Sequence, residues 1–356
     1  MSRYVIAEFP FDDEALVQGL ASAPTSDATK DAQEPSPRYV AMAGPDQSWP
    51  LWQVSETVAT RAGYLAAVFG LDPATVEVTR DGTAIPAIQF KVDPAAAKSV
   101  RRDGRWPAIL REASTEILTY LGDRTPQQVA ARLGMILSRA DAKVLAQQTT
   151  HGGESGLDHS DIHMVTVRRP YSEYFALEEY VFSHTRFDGG ESPVVERAAM
   201  IAADAVTVLP YDPVRDRVLL VEQVRVAPIA RGDRQPWVLE AVAGRIEPGD
   251  TPEQTAHKEA QEEAGVTLSQ LFSVADYYPS TGCFSEFVYS YIGLTDLPDG
   301  AAGLGGVAAE GEDIRGHILP RTVFMDRVRA GQIRNAPLLI SAYWLEANLS
   351  RVRGAG

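Results

Sequence analysis

Glu259, Glu262 and Glu263 are the residues of this sequence best placed to do chemistry together. Their spacing brings three side chains to one face of a helix. Thr251, Pro252 and Gln254 read as the start of that helix: an N-cap hydroxyl, a proline at the first helical position and a capping-box partner. Gly265 reads as its stop. Three neighbouring carboxylates repel one another, and a hard divalent cation such as Mg²⁺, which takes oxygen ligands, would neutralise them. Acidic residues at this spacing also commonly form a solvated helix face. The glycine loop leading in, Gly244 to Asp250, and the caps favour a metal-binding helix.

The elements around this helix read as a mixed sheet with flanking helices, which makes an α/β or α+β sandwich. Strand patterns fall at 163–167, 174–187, 205–209 and 217–226, with a turn at 211–216. Residues 237–242 lead into the glycine loop, and 271–278, 287–294 and 314–319 are strands after the helix. Helical patterns close the chain at 323–330 and 337–352. Earlier, 55–69, 106–121 and 126–148 are helical, and the Ala-, Ser-, Pro- and Asp-rich span 20–50 reads as a loop. Residues 1–145 are expected to form one domain, 146–165 a linker and 166–356 a second domain. His151, His159 and His163 with Asp158 and Asp161 read as polar linker residues rather than as a metal site.

Lys and Arg number 33 against 48 Asp and Glu, a net charge of −15. That balance argues against nucleic acid or an anionic membrane as the main partner. It leaves room for a phosphorylated small molecule held by local cations. Cys283 is the single cysteine, so no intrachain disulfide can form. The opening Met1 to Pro10 lacks the apolar core of a signal peptide, and no run reaches membrane-spanning length. The cytoplasm is the expected compartment.

The series Gly244, Asp250, Lys258, Glu259, Ala260, Glu262, Glu263, Gly265, Val266 resembles the Nudix box. Asp250, Lys258 and Ala260 stand where the strict pattern has Glu, Arg and a larger aliphatic residue. Lysine cannot make the planar two-pronged grip of arginine. Leu209 to Asp216, Val221 to Arg225, Trp237 to Gly244, Gly311 to Arg315 and Gly331 to Ala336 extend the resemblance, from Arg169 to the last residue, to ADP-ribose pyrophosphatases of the Nudix superfamily.

That resemblance implies an α/β/α sandwich and a homodimer in which N-terminal strands of one subunit lie across the other. It implies Glu259 and Glu263 as the main Mg²⁺ ligands (Mn²⁺ being a possible substitute), Glu262 sharing a further ion, and the Ala243 carbonyl completing the shell. The catalytic base falls in the glycine-bearing loop 303–313, on Glu310, with Glu312 the near alternative. Arg197 and Arg225 match arginines that hold the substrate, and Glu286 matches a glutamate near its terminal ribose. Tyr174 or Phe175 falls where an aromatic residue stacks on adenine, core packing being the competing reading. Thr281 stands where ADP-ribose-type enzymes carry proline, which leaves open another nucleoside diphosphate sugar, such as GDP-mannose. A binding module that senses ADP-ribose without turning it over is a third reading.

The first half is similar to γ-glutamylcyclotransferase-like domains through Arg61 to Gly70, Arg105-Trp106 and Ala131 to Ala140. Glu8-Phe9-Pro10-Phe11 replaces the family's glycine-containing motif, and Ala66 falls where its catalytic glutamate belongs. A domain without that acid and that loop cannot run the cyclotransferase reaction. Residues 1–145 are therefore expected to be non-catalytic.

Overall fold

The structure is a computed structural model that describes residues 3–6, 10–22, 39–44, 47–80, 83–92, 104–148, 152–306 and 311–354. The chain divides into two units. The first comprises Met1–His163 with Tyr171–Ala176 and His184–Ser192, and the second Met164–Pro170, Leu177–Ser183 and Pro193–Gly356.

The first unit holds β1 (Arg3–Ile6), α1 (Glu14–Ser22), β2 (Tyr39–Gly44), β3 (Gln47–Val54), α2 (Glu56–Val68), β4 (Leu71–Arg80), β5 (Thr83–Val92), α3 (Trp106–Leu118), α4 (Pro126–Ala130) and α5 (Leu133–Ala146). Its strands close a barrel in the order β1-β3-β2-β4-β5, sealed by the parallel pairing of Val5 with Ile88. Trp52, Leu65, Ile109, Ile117 and Ile136 are buried in one apolar core.

Two expectations for this region change. Residues 39–44 and 47–50 lie in strands, not in a loop. β2 and β3 pair with each other, and the strands that flank them in the barrel, β4 and β1, are distant in sequence. The helix expected over 126–148 is two helices. Arg132 leaves helical geometry at φ −115°, ψ 7°, and its guanidinium donates to the Gln128 carbonyl and pairs with Glu173.

A short 3₁₀ turn, His159–Asp161, precedes β6 (Ile162–Ser172), β7 (Ala176–His184) and β8 (Val195–Ile201), which form a three-stranded sheet. Asp158 caps the turn through the Ser160 N–H at 2.8 Å, and His163 Nδ1 faces Glu191 at 3.3 Å. His151 lies outside the described residues.

The second unit continues with β9 (Ala205–Asp212), β10 (Arg217–Val224), α6 (Val226–Arg231), β11 (Trp237–Glu240), β12 (Val242–Arg245), α7 (Pro252–Ala264), β13 (Gln270–Tyr277), β14 (Val288–Leu294), β15 (Leu304–Gly305), β16 (Ile314–Pro320), α8 (Arg321–Arg329), α9 (Ala336–Ala347) and α10 (Leu349–Arg353). Its main sheet runs β13-β14-β9-β10-β16-β15, with β11 on β10 and β12 on β9. β14 runs parallel to β9 and the other pairings are antiparallel, so the sheet is mixed.

Alternation along β9 separates two cores. Val206 and Val208 pack with Ala256 and Ala260 of α7. Leu209 and Tyr211 pack with Phe324 of α8 and with Leu338, Ala342 and Leu345 of α9. The sheet is thus covered on both faces, which explains the nearly unbroken apolar run of β9. The strand expected over 217–226 ends at Val224, because Arg225 caps α6 instead. None of the described helices is long and apolar enough to cross a membrane.

Candidate active site

Helix α7 forms where its caps place it. Thr251 Oγ1 accepts from the Gln254 N–H at 3.2 Å, and Gln254 Oε1 accepts from the Thr251 N–H at 2.8 Å. Gly265 ends the helix in left-handed geometry, at φ 66°. Thr255, Ala256, Ala260 and Glu263 form its buried stripe. Packing of Ala256 and Ala260 against the sheet fixes the helix rotation and carries Glu263 inward.

The three glutamates consequently have three different environments. Glu263 is 3 % exposed, and its Oε2 accepts the Ala243 N–H at 3.0 Å. Burial pushes its carboxyl up to about 8, helped by the charges of Glu259 and Glu312 and opposed by the Ala243 N–H and Arg225. Glu259 lies directly over Gly244: a Cβ there would sit 2.0 Å from its Cδ and Oε1. Any other residue at 244 would expel that carboxylate. Glu262 is exposed, and its backbone carbonyl accepts the Gly306 N–H at 3.3 Å.

Lys258 pairs with Glu247 of the glycine loop, a partner that spacing did not disclose. Desolvation lowers the Lys258 pKa, but the bond to Glu247 and the charges of Glu247, Glu262 and Glu259 outweigh it and raise the ammonium's pKa.

The loop after β14 returns to the same helix. β15 pairs with β16 at Leu304↔Arg315 and Gly305↔Ile314. A Cβ on Gly305 would lie 2.0 Å from the Glu263 carbonyl oxygen, so only glycine lets the strand press this close. Glu312 is half-buried and near enough to raise the Glu263 pKa. Glu310 lies outside the described residues.

Arg225 stands among carboxylates. It bonds to Glu240 at 2.7 Å, and its charge lowers the pKa values of Glu263 and Glu286. Burial raises Glu286 to about 7 against that pull. Glu240 is buried and also raised by desolvation, against its bonds to Arg225 and Asn335. Neither Glu240 nor Asn335 stood out in the sequence, where a Glu before the glycine loop and an Asn before a helix looked routine.

Arg197 is an exposed residue of β8 whose Nη1 donates to the Glu196 carbonyl at 2.8 Å. Tyr174 and Phe175 belong to the first unit, where their rings meet edge-on at 4.8 Å and Arg139 donates to the Tyr174 carbonyl at 3.2 Å.

Among the described residues, no three His, Cys, Asp or Glu side chains form a ready-made metal cage. The donor chemistry nevertheless suits a hard divalent cation. Glu259, Glu263 and Glu312 supply only oxygen, and the charges of Glu259 and Glu312 add to the burial that already raises the Glu263 carboxyl. A cation would remove that repulsion.

A NUDIX domain matches residues 202–317. The chain is 35 % identical over 195 residues to the ADP-ribose pyrophosphatase of Haemophilus influenzae, spanning 54 % of this chain and 89 % of that one. It is 37 % identical over 187 residues to the ADP-ribose pyrophosphatase of Escherichia coli K12, spanning 52 % and 88 %. A GDP-mannose pyrophosphatase of Salmonella paratyphi B is 30 % identical over 175 residues, spanning 49 % and 90 %. Nudix hydrolases generally use divalent metal ions. Similarity over nearly the full length of these relatives, together with the carboxylate helix and its glycine loop, makes this chain a member of the Nudix hydrolase family and a pyrophosphatase.

Proposed function

We propose that the protein cleaves ADP-ribose to AMP and ribose 5-phosphate in a magnesium-dependent reaction. The observation that carries this reading is that one helix sets Glu259 directly over Gly244 and Glu263 on the Ala243 N–H, two carboxylates brought to consecutive residues of the strand that enters the glycine loop. Glu259, Glu263 and the Ala243 carbonyl would hold the ion, Glu262 would share a second, and Mn²⁺ would substitute for Mg²⁺. When bound, the ion supplies charge neutralisation for the two phosphates.

The chain's own groups do the rest. Arg225, with Arg197, holds phosphate oxygens through the planar guanidinium fork. Glu310 accepts the proton of the attacking water, Glu312 being the alternative base. Glu286 contacts the terminal ribose, and Tyr174 or Phe175 stacks on adenine. The glycines of the 303–313 loop suit a segment that closes over substrate and excludes water. Met164, Val165 and Val167 of β6 and Met200 of β8 are exposed, as is Val194 just before β8, which supports a homodimer through these strands. Residues 1–145 form a non-catalytic module, 146–165 a linker and 166–356 the hydrolase domain, working in the cytoplasm.

A second reading, hydrolysis of GDP-mannose or another nucleoside diphosphate sugar, is favoured by Thr281 in the loop before Glu286 and by the Salmonella relative. A hydrolysis screen with and without added magnesium separates the two. AMP and ribose 5-phosphate formed only with metal are expected. Faster release of GMP from GDP-mannose would favour the second reading, and tight ADP-ribose binding without turnover in millimolar Mg²⁺ would refute catalysis. Light scattering at working concentration tests the dimer, and a monomer would refute it.

A further inference from the structure

Arg225 has one firm partner and two rivals. Its Nε and Nη2 both lie 2.7 Å from Glu240 Oε2. Its Nη1 makes no hydrogen bond among the described residues, and the side chain is 41 % exposed while that of Glu240 is 9 % exposed. The rivals are Glu263 and Glu286, whose carboxyls feel the same guanidinium. Unrestrained, a flexible arginine would settle on whichever carboxylate was charged.

Glu240 is itself held from behind. Asn335 Nδ2 donates to Glu240 Oε1 at 2.9 Å, and Asn335 Oδ1 accepts the Leu338 N–H at 2.9 Å as the N-cap of α9. One amide therefore caps a helix with its oxygen and orients a carboxylate with its nitrogen. The backbone gives a second restraint, since the Arg225 N–H donates to the Pro236 carbonyl at 3.0 Å across the β10–β11 hairpin.

We propose that Glu240 and Asn335 are positioning residues that clamp the inner edge of the Arg225 guanidinium, so that its outer edge is presented to a phosphate oxygen of the substrate. This rests on the reading of Arg225 as a phosphate-binding arginine. The clamp leaves the guanidinium fork ready before substrate arrives, which lowers the ordering cost of binding. It also keeps the guanidinium off Glu263 and Glu286.

Steady-state kinetics on the full chain, with wild-type turnover of a nucleoside diphosphate sugar as the entry condition, tests the clamp. Absence of wild-type turnover would sink the enzymatic reading, a failure distinct from failure of the clamp. Glu240→Gln is expected to raise KM about ten-fold with a much smaller change in kcat, the loss expected for one charge-assisted hydrogen bond. Asn335→Ser keeps a capping side chain for α9 and removes the amide donor; a KM increase of about three-fold with an unchanged melting temperature is expected. In an Arg225→Ala background, Glu240→Gln should add nothing further to KM. Unchanged KM in both single variants, or full additivity with Arg225→Ala, would overturn the proposal.

Discussion

The Ala243 N–H donates to Glu263 Oε2 at 3.0 Å, so the strand that enters the glycine loop and the acidic helix hold one carboxylate between them. This bond fixes the carboxylate against the residue whose carbonyl is the proposed third ligand. It also explains why a group with 3 % exposure is not simply expelled to solvent.

Glu263→Gln keeps the size of the side chain and an acceptor for the Ala243 N–H, but removes the charge a cation needs. Turnover is expected to fall by about a thousand-fold or more, on the scale of losing a principal electrostatic group. The melting temperature of the metal-free protein near neutral pH should change little, since burial already holds the Glu263 carboxyl mostly protonated there. Retained turnover would show that the metal assignment is wrong.

Glu310→Gln should slow turnover strongly with little change in KM, because a base acts in the transition state and not in binding. Glu312→Gln should have a smaller effect on kcat. The reverse pattern would assign the base to Glu312, whose charge already acts on Glu263.

Gly305→Ala would force a methyl group toward the Glu263 carbonyl, where a Cβ has only 2.0 Å. The root of the loop must then back away from α7. A loss in kcat of about a hundred-fold is expected from displacement of the loop's catalytic group, with KM changed much less. Single-turnover kinetics would locate the loss in the chemical step. Wild-type kcat would mean that the contact has no part in placing the base.

Glu286 has its carboxyl raised by burial from 4.5 to about 7. The folded state binds the proton more tightly than the unfolded chain does. Its contribution to stability is therefore complete below about 4.5 and is lost as pH rises through about 7. Thermal melts of the metal-free protein should show a declining melting temperature across this window. Glu286→Gln should flatten the decline, and an unchanged slope in that variant would contradict the burial of the charge.

The sequence by itself determined helix α7. Thr251, Pro252, Gln254 and Gly265 act within a turn or two of one another, so local geometry suffices to start and stop the helix and to align Glu259, Glu262 and Glu263. It also disclosed the mixed sheet with flanking helices, because periodicity along each strand and helix reports the faces that must be buried. It did not disclose β2 and β3, whose flanking strands in the barrel are remote, or α6, which a continuing apolar pattern disguised as strand.

Only the tertiary structure decided how the three glutamates differ. Spacing made them equivalent. Packing of Ala256 and Ala260 buried Glu263, Gly244 received Glu259, and Glu262 remained in water. Glu240 acquired its role the same way, from Asn335, 95 positions along the chain. Burial and hydrogen bonding between distant segments set the charge balance of a carboxylate, and those contacts come into being only when the chain closes on itself.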